Sequence, residues 1–323
     1  MRCGLIGIML AAMPAFAIAQ TGAVLMLRPF EEQQASETDL QWMSIDQGTT
    51  DGVFDADVNI SVYDVSGRAR FDVTDPDSPR VGYAWHYIDV DTADPRLPDQ
   101  LSDQSVAVGF GLFEHEGWKV GATLGAGYAG DNGFDDAEPW YAKANLIASR
   151  ELDADSSMQL LLSYDGNRTI FPDLPLPGFV YNRRANDQLS YSIGVPFSQI
   201  VWTPTDKWRV TVSGAIPSSL WQFGFDADAT YELVDDVHVF ASIQHRMRAF
   251  SVDTLRHNKR LFFEQRRAEA GVRWSHESTL DVTFAGGYAF YQQFQTGFDS
   301  RDLHDSISLS DEPYVRVSVG IRF

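Results

Sequence analysis

The chain has 323 residues, with 45 acidic against 25 basic side chains and a formal net charge of −20. That balance excludes nucleic acid as a partner, because phosphate binding needs a basic face. The single cysteine, Cys3, lies in the first segment, so the remainder has no thiol, disulfide or cysteine metal ligand, and no metal or other cofactor is implied.

Residues 1–19 read as a cleaved signal peptide. Arg2 is the positive start, Leu5 to Ala12 the short apolar stretch, and Ala17-Ile18-Ala19 the small-x-small cleavage pattern. The export target is a Gram-negative-type envelope. Residues 20–56 are acidic (Glu31, Glu32, Glu37, Asp39, Asp46, Asp51, Asp55) and lack sustained period-two patterning. They are expected to form a periplasmic N-terminal extension, with room for a short helix near Glu31 to Met43.

From residue 57 to the end the pattern has period two. No run of eighteen apolar residues follows the signal, so no membrane helix is expected. A barrel strand needs only about nine to eleven residues with alternate positions apolar. The expected strands are 57–65, 68–74, 81–90, 105–113, 118–129, 138–150, 156–166, 190–203, 207–216, 220–233, 236–250, 261–276, 278–295 and 312–323. In 220–233, Trp221, Phe223, Phe225, Ala227, Ala229, Tyr231 and Leu233 share one face, and Gln222, Asp226, Asp228, Thr230 and Glu232 the other. Apolar faces with aromatics at their ends match an outer-membrane girdle. Short connections on one side and long ones on the other fit the same arrangement. The fold expected is an all-β, transmembrane, antiparallel up-and-down β-barrel of about 14 strands, with 12 as the alternative, over 57–323.

The last strand places Val315, Val317, Val319, Ile321 and Phe323 on one face. A terminal Phe on an alternating strand resembles the signature that barrel assembly machinery reads, so Phe323 is the candidate assembly signal. The stretch Val195-Pro196-Phe197 through Ile200-Val201-Trp202-Thr203-Pro204-Thr205-Asp206-Lys207-Trp208, then Ala215-Ile216-Pro217, resembles a family of bacterial outer-membrane β-barrel porins classed as a domain of unknown function. The resemblance covers most of the chain after about residue 50. It implies an outer-membrane location and a barrel, and supplies no catalytic residues.

Charged side chains fall on the second face of these strands. The candidate lumen-lining residues are Arg209, Asp226, Asp228, Arg246, Arg248, Arg267, Glu269, Arg273, Arg316 and Arg322. Two readings fit them equally: a salt-bridge ladder filling a plugged lumen, or charged rings in a wet channel. The apolar stretch within 167–189 reads as a long outer loop that folds inward, covers the mouth or meets a neighbouring subunit, with Arg183 and Arg184 at an eyelet.

Three constellations have bland readings that outweigh the chemical ones. His276-Glu277-Ser278 has the His-x-Ser spacing of an outer-membrane lipid A deacylase, but falls in a turn. His304-Asp305-Ser306 is adjacency, not triad geometry. The oxygen-rich runs Asp89, Asp91, Asp94 and Asp131, Asn132, Asp135, Asp136 could hold calcium but lack the twelve-residue loop ending in Glu, and read as solvated loops. The chain is therefore expected not to be an enzyme. The leading function is a porin-like channel for passive passage of small solutes. A non-conducting structural or surface-binding barrel is the rival, and a lipid hydrolase ranks third. Partners expected are outer-membrane lipid, barrel assembly machinery and small solutes, with a homo-oligomer left open.

Overall fold

The computed structural model describes residues 30, 34–51, 54–75, 78–215, 224–255, 259–276 and 279–323. The expected signal peptide and the His276-Glu277-Ser278 turn beyond His276 lie outside these. The elements are all strands: β1 (Ser36–Thr49), β2 (Asp57–Arg70), β3 (Arg80–Thr92), β4 (Gln100–His115), β5 (Trp118–Gly130), β6 (Trp140–Asp153), β7 (Ser156–Asp165), β8 (Leu176–Asn186), β9 (Leu189–Val195), β10 (Phe197–Thr205), β11 (Trp208–Ala215), β12 (Gly224–Val234), β13 (Val237–Phe250), β14 (Arg260–His276), β15 (Leu280–Gly297), β16 (His304–Leu309) and β17 (Glu312–Arg322). Each pairs antiparallel with its sequence neighbour, except that β16 and β17 both pair with β15, and β1 closes the ring by pairing with both β2 and β17. Sixteen strands close the barrel. The seventeenth, β16, continues the line of β17 beyond Ser310-Asp311 and pairs with the upper end of β15.

The expectation of 14 strands, or 12, is corrected by four local misreadings. Ser36–Thr49 is a barrel strand, so the boundary at residue 57 does not hold and the helix near Glu31 to Met43 does not form over its described part. The segments 57–65 and 68–74 are largely one strand, β2, running through Ser66-Gly67. The 167–189 loop contains β8. The stretch 190–203 is two strands broken at Pro196, between β9 and β10.

Short connections join β4 to β5, β6 to β7, β8 to β9, β10 to β11 and β12 to β13 at the end of the barrel that also holds Ser36 and Arg322. Between β4 and β5, Glu116 and Gly117 both take positive φ (50° and 78°). That is the backbone a two-residue hairpin turn needs, and glycine at the second position fits it without steric cost.

Along most strands burial alternates as the pleat requires. In β12, Asp226, Asp228 and Thr230 are buried while Phe225, Ala227, Ala229 and Tyr231 are half-exposed. Large apolar side chains stand exposed on every strand of the ring, among them Trp42, Tyr63, Val106, Leu124, Leu146, Leu160, Ile193, Ile200, Val212, Val272, Phe284 and Val315. A soluble surface does not carry a continuous apolar belt of this kind.

Alternation fails at the outer ends of several strands, β4 and β5 among them, and over the longest stretch in β14. In β14 the residues Leu261 to Gln265 are buried on both faces. Opposite them β15 carries an extra residue: Glu264 pairs with Gln293 and Arg266 with Phe290, two steps against three. Tyr291 lies in the excess and takes φ 51°, the signature of a β-bulge that bends its strand. Beyond the bulge Phe250, Leu261, Phe263 and Phe294 pack with Met43, Ile45, Val58, Ile60, Ile88, Val90, Leu97 and Leu101 as one buried apolar cluster. The residues from β1 to β4 in that cluster point to the inside of the ring. The outer ends of β13 and β14 therefore fold into the mouth of the barrel and plug it with apolar side chains.

Candidate functional site: the barrel interior

The pairing registers place all ten sequence-identified charges on one continuous face. Thr211 lies opposite Asp228, Asp226 opposite Gln244, Gln244 opposite Arg267, Arg267 opposite Ala289, Asp281 opposite Gly320, and Arg316 opposite Met43. With a period of two, Arg209, Asp226, Asp228, Arg246, Arg248, Arg267, Glu269, Arg273, Arg316 and Arg322 share that face, which is the inner one.

Most of these charges are paired between strands. Arg246 clasps Asp226 with two bonds, 2.7 and 3.0 Å. Arg316 holds Glu269 through Nε (2.9 Å) and Nη2 (2.6 Å), and the Tyr314 hydroxyl donates to the same carboxylate at 2.9 Å. Both are forked guanidinium–carboxylate contacts, the geometry that makes such pairs strong. Arg322 pairs with Asp281. Asp228 accepts from Thr230 at 2.7 Å, and Arg273 lies over the Phe240 ring at 5.3 Å. Arg267 donates to Gln244 Oε1 at 3.0 Å and contacts Met43 Sδ at 2.8 Å. Arg209 is half-buried on the same face beside Asp228 and Arg273.

A second set, of which only Arg248 was identified from sequence, crosses the lumen. Arg248 on β13 reaches Asp64 on β2 (3.5 Å) and Asp103 on β4 (3.7 Å). His86 Nδ1 meets Asp64 Oδ1 at 2.5 Å, and Tyr141 donates to Asp103. Asn167, in the β7–β8 connection, donates to Asp103 at 3.4 Å and to the Ala249 carbonyl at 3.1 Å. The His86 ring stacks on Phe250. Main chain joins too: Ser251 N donates to Ala129 O at 3.0 Å, and Asn132 Nδ2 meets both oxygens of Asp253 at 3.0 and 2.9 Å. In a ring of 16 strands, β5 and β13 are eight apart in either direction. Such a ring is roughly 30 Å across, far beyond the reach of one side chain. Only the inward bend of the β13–β14 end brings these walls together. We call this set the cross-lumen latch.

Loops over the mouth are tied down in turn. The Arg96 side chain donates to both carboxylate oxygens of Asp94, its main-chain amide donates to Oδ1, and its Nη2 donates to the Asp51 carbonyl at 2.9 Å. Those bonds hold the Asp94 carboxyl below its ordinary value. Asp299 is raised by burial, but the bonds from Arg301 and from the Phe171 amide outweigh it and leave the carboxyl lowered. Of the oxygen-rich runs, Asp94, Asp131, Asn132 and Asp136 bond protein partners and Asp89 and Asp91 stand exposed on β3, and no cluster of three metal-ligating side chains occurs among the described residues.

Two expectations move. Arg183 and Arg184 are exposed at the short-turn end, where Arg184 meets Asp155 at 3.1 Å, so they line no outer eyelet. His304 contacts Lys259 and Asp305, while Ser306 donates to Gln293 at 3.3 Å, so His304-Asp305-Ser306 is not assembled as a catalytic group. Signals for the latch existed in the sequence: Asp64, His86 and Asp103 are polar residues in mid-strand on the face opposite Tyr63, Trp85 and Val106. Phe323 is 74% exposed, and its main chain bonds Ser36 in both directions.

No family model matches the chain, and no curated protein does. Solved structures of similar fold include the toluene transporter TodX of Pseudomonas putida (9% identity, TM-score 0.37, covering 90% of each chain). A FadL homologue of Pseudomonas aeruginosa is similar at 9% identity and TM-score 0.41, covering 90% of this chain and 91% of that one. The outer membrane protein Omp33 of Acinetobacter baumannii is similar at 8% identity and TM-score 0.38, covering 91% of this chain and all of that one.

Proposed function

We propose that the chain is an outer-membrane β-barrel channel for passive passage of small solutes, held shut in this conformation by the cross-lumen latch. The observation that carries the reading is the division of the wall. Apolar side chains are exposed around the whole ring, and charged ones are buried within it. An outer belt of that kind suits hydrocarbon, and an inner face of that kind suits water and solute. Aromatic pairs stand on the outer face, Trp208 with Tyr231 (5.0 Å) near the short turns and Tyr63 with Tyr87 (6.1 Å) in mid-strand. The chain uses no energy source and no cofactor in this role. Phe323, at the end of the lipid-facing row, serves assembly.

One observation favours the rival, a non-conducting barrel: charge and backbone contacts bridge the lumen between facing strands. Conductance of the full chain in planar bilayers separates the two. A channel closed by the latch gives rare or small openings in the wild type and frequent, larger ones in Arg248→Ala. A folded, inserted barrel silent in both forms would establish the rival.

A further inference from the structure

Arg267 is more than nine-tenths buried in the barrel interior. Unlike Arg246 and Arg316, it hydrogen-bonds no carboxylate, and Glu269 and Asp64 act on it only through space. Its hydrogen-bond acceptors are a neutral carboxamide, Gln244 Oε1, and a thioether, Met43 Sδ, and its Nε has no acceptor at all. A guanidinium buried this way lacks the hydrogen-bonded counter-charge that ordinarily offsets its loss of water. A thioether is a weak acceptor on a flexible side chain.

The surroundings are built for an anion. Arg246 and Arg316 flank Arg267, and their carboxylates are Asp226 and Glu269, so three guanidiniums face two carboxylates. The Tyr314 ring lies 5.9 Å from the Arg267 guanidinium and closes one side. Gln41, which reaches Arg316 Nη1 at 3.4 Å, brings a carboxamide to the same region. Asp64 on the facing wall also acts on Arg267 through space, but its close partners are His86 and Arg248.

We propose that Arg267 anchors a binding seat for a small solute bearing a carboxylate, and that Met43 occupies the seat when it is empty. A planar carboxylate matches the guanidinium fork with two bonds, which a thioether cannot supply. Entry displaces the Met43 side chain by rotation about its own bonds and breaks no ion pair. The seat deepens the channel reading by naming the solute class, and it rests on that reading for its route of access.

The test is calorimetric titration of the full chain, purified in detergent, with sodium propionate at constant ionic strength. The wild type binds saturably. Arg267→Gln weakens binding at least about tenfold, the scale of one charged hydrogen-bonded contact, with unchanged heat-modifiable mobility on gels. Met43→Ala, which clears the seat and leaves every ion pair in place, strengthens binding several-fold. No saturable binding by wild type, equal binding by Arg267→Gln, or unchanged affinity in Met43→Ala each overturns the seat. So does equal competition by chloride, which would make it a general anion site. Binding retained in a barrel that never conducts would keep the seat and remove the channel.

Discussion

The β4–β7 wall and the β13–β15 wall follow the same sequence rule to different ends. On β4–β7 the inner face is built largely from small or short polar residues (Ser105, Ala107, Gly121, Thr123, Gly125, Asn145), and the outer face from Val106, Val108, Leu124 and Leu146, each 45–56% exposed. One face meets lipid, the other the lumen. On β13–β15 the lower half does the same with arginine and glutamate inside. Above the Tyr291 bulge both faces are packed, and His245 and Glu264, at outward-parity positions, form a buried contact of 2.8 Å. The difference teaches that period two reports a surface between two solvents. It is lost when a strand leaves the membrane and folds against its own barrel.

The largest expected effect sharpens that contrast. Phe250→Ala removes a fully buried ring that joins the β13–β14 tip to His86 and the facing wall. A substitution of this type costs about 3–5 kcal/mol. The cost should appear as protease cleavage or hydrogen exchange confined to 245–265, with the remaining barrel resistant. Collapse of the whole barrel would mean that the tip is not a separable plug. Next, Leu124→Arg puts charge into the lipid-facing row of β5 and should cost about 2–4 kcal/mol, read as a lower midpoint in urea refolding into lipid bilayers. Thr123→Arg, on the inner face, should cost less. The opposite ranking would slip β5 by one residue and exchange its faces.

Asp94→Asn is the mildest, about 1 kcal/mol or less, and loosens the β3–β4 loop over the mouth. The same loop carries a pH dependence. Asp94 is held below its ordinary value, so its stabilising contribution is present above that value and lost as pH falls through the lowered one. Acidification should therefore increase hydrogen exchange at 93–99, and should do so less in Asp94→Asn.

How far the sequence could be read follows from the same contrast. Strands with two different solvents, such as β5, β12 and β17, were legible from alternation alone. β1 was not, because its inner positions Met43 and Ile45 face the apolar plug, while outward positions include Thr38, Ser44 and Asp46. Its period is blurred by tertiary contacts that sequence does not display. β8 was hidden by Pro175, Pro177 and Gly178, which read as loop residues, yet pair with Leu162 and Leu161 on β7 at the latter two positions. Gly67 read as a turn; it sits in mid-strand beneath the Tyr83 ring, which fills the space a side chain would take. The inner charges were legible because lipid excludes charge from the other face. The latch was not, because nothing in Asp64, His86 or Asp103 says which distant strand will come to meet them.

The central claim is that the β13–β14 end lies across the mouth onto the opposite wall. Asn132, after β5, and Asp253, after β13, are in side-chain contact there, although their strands stand on opposite sides of the ring. The most direct measurement is oxidative cross-linking of Asn132→Cys with Asp253→Cys in the inserted barrel. The account predicts a rapid intramolecular cross-link, absent from either single variant, that lowers conductance until reductant restores it. A double variant that remains reduced under oxidant while the barrel stays folded would contradict it, because the two walls would then stand apart.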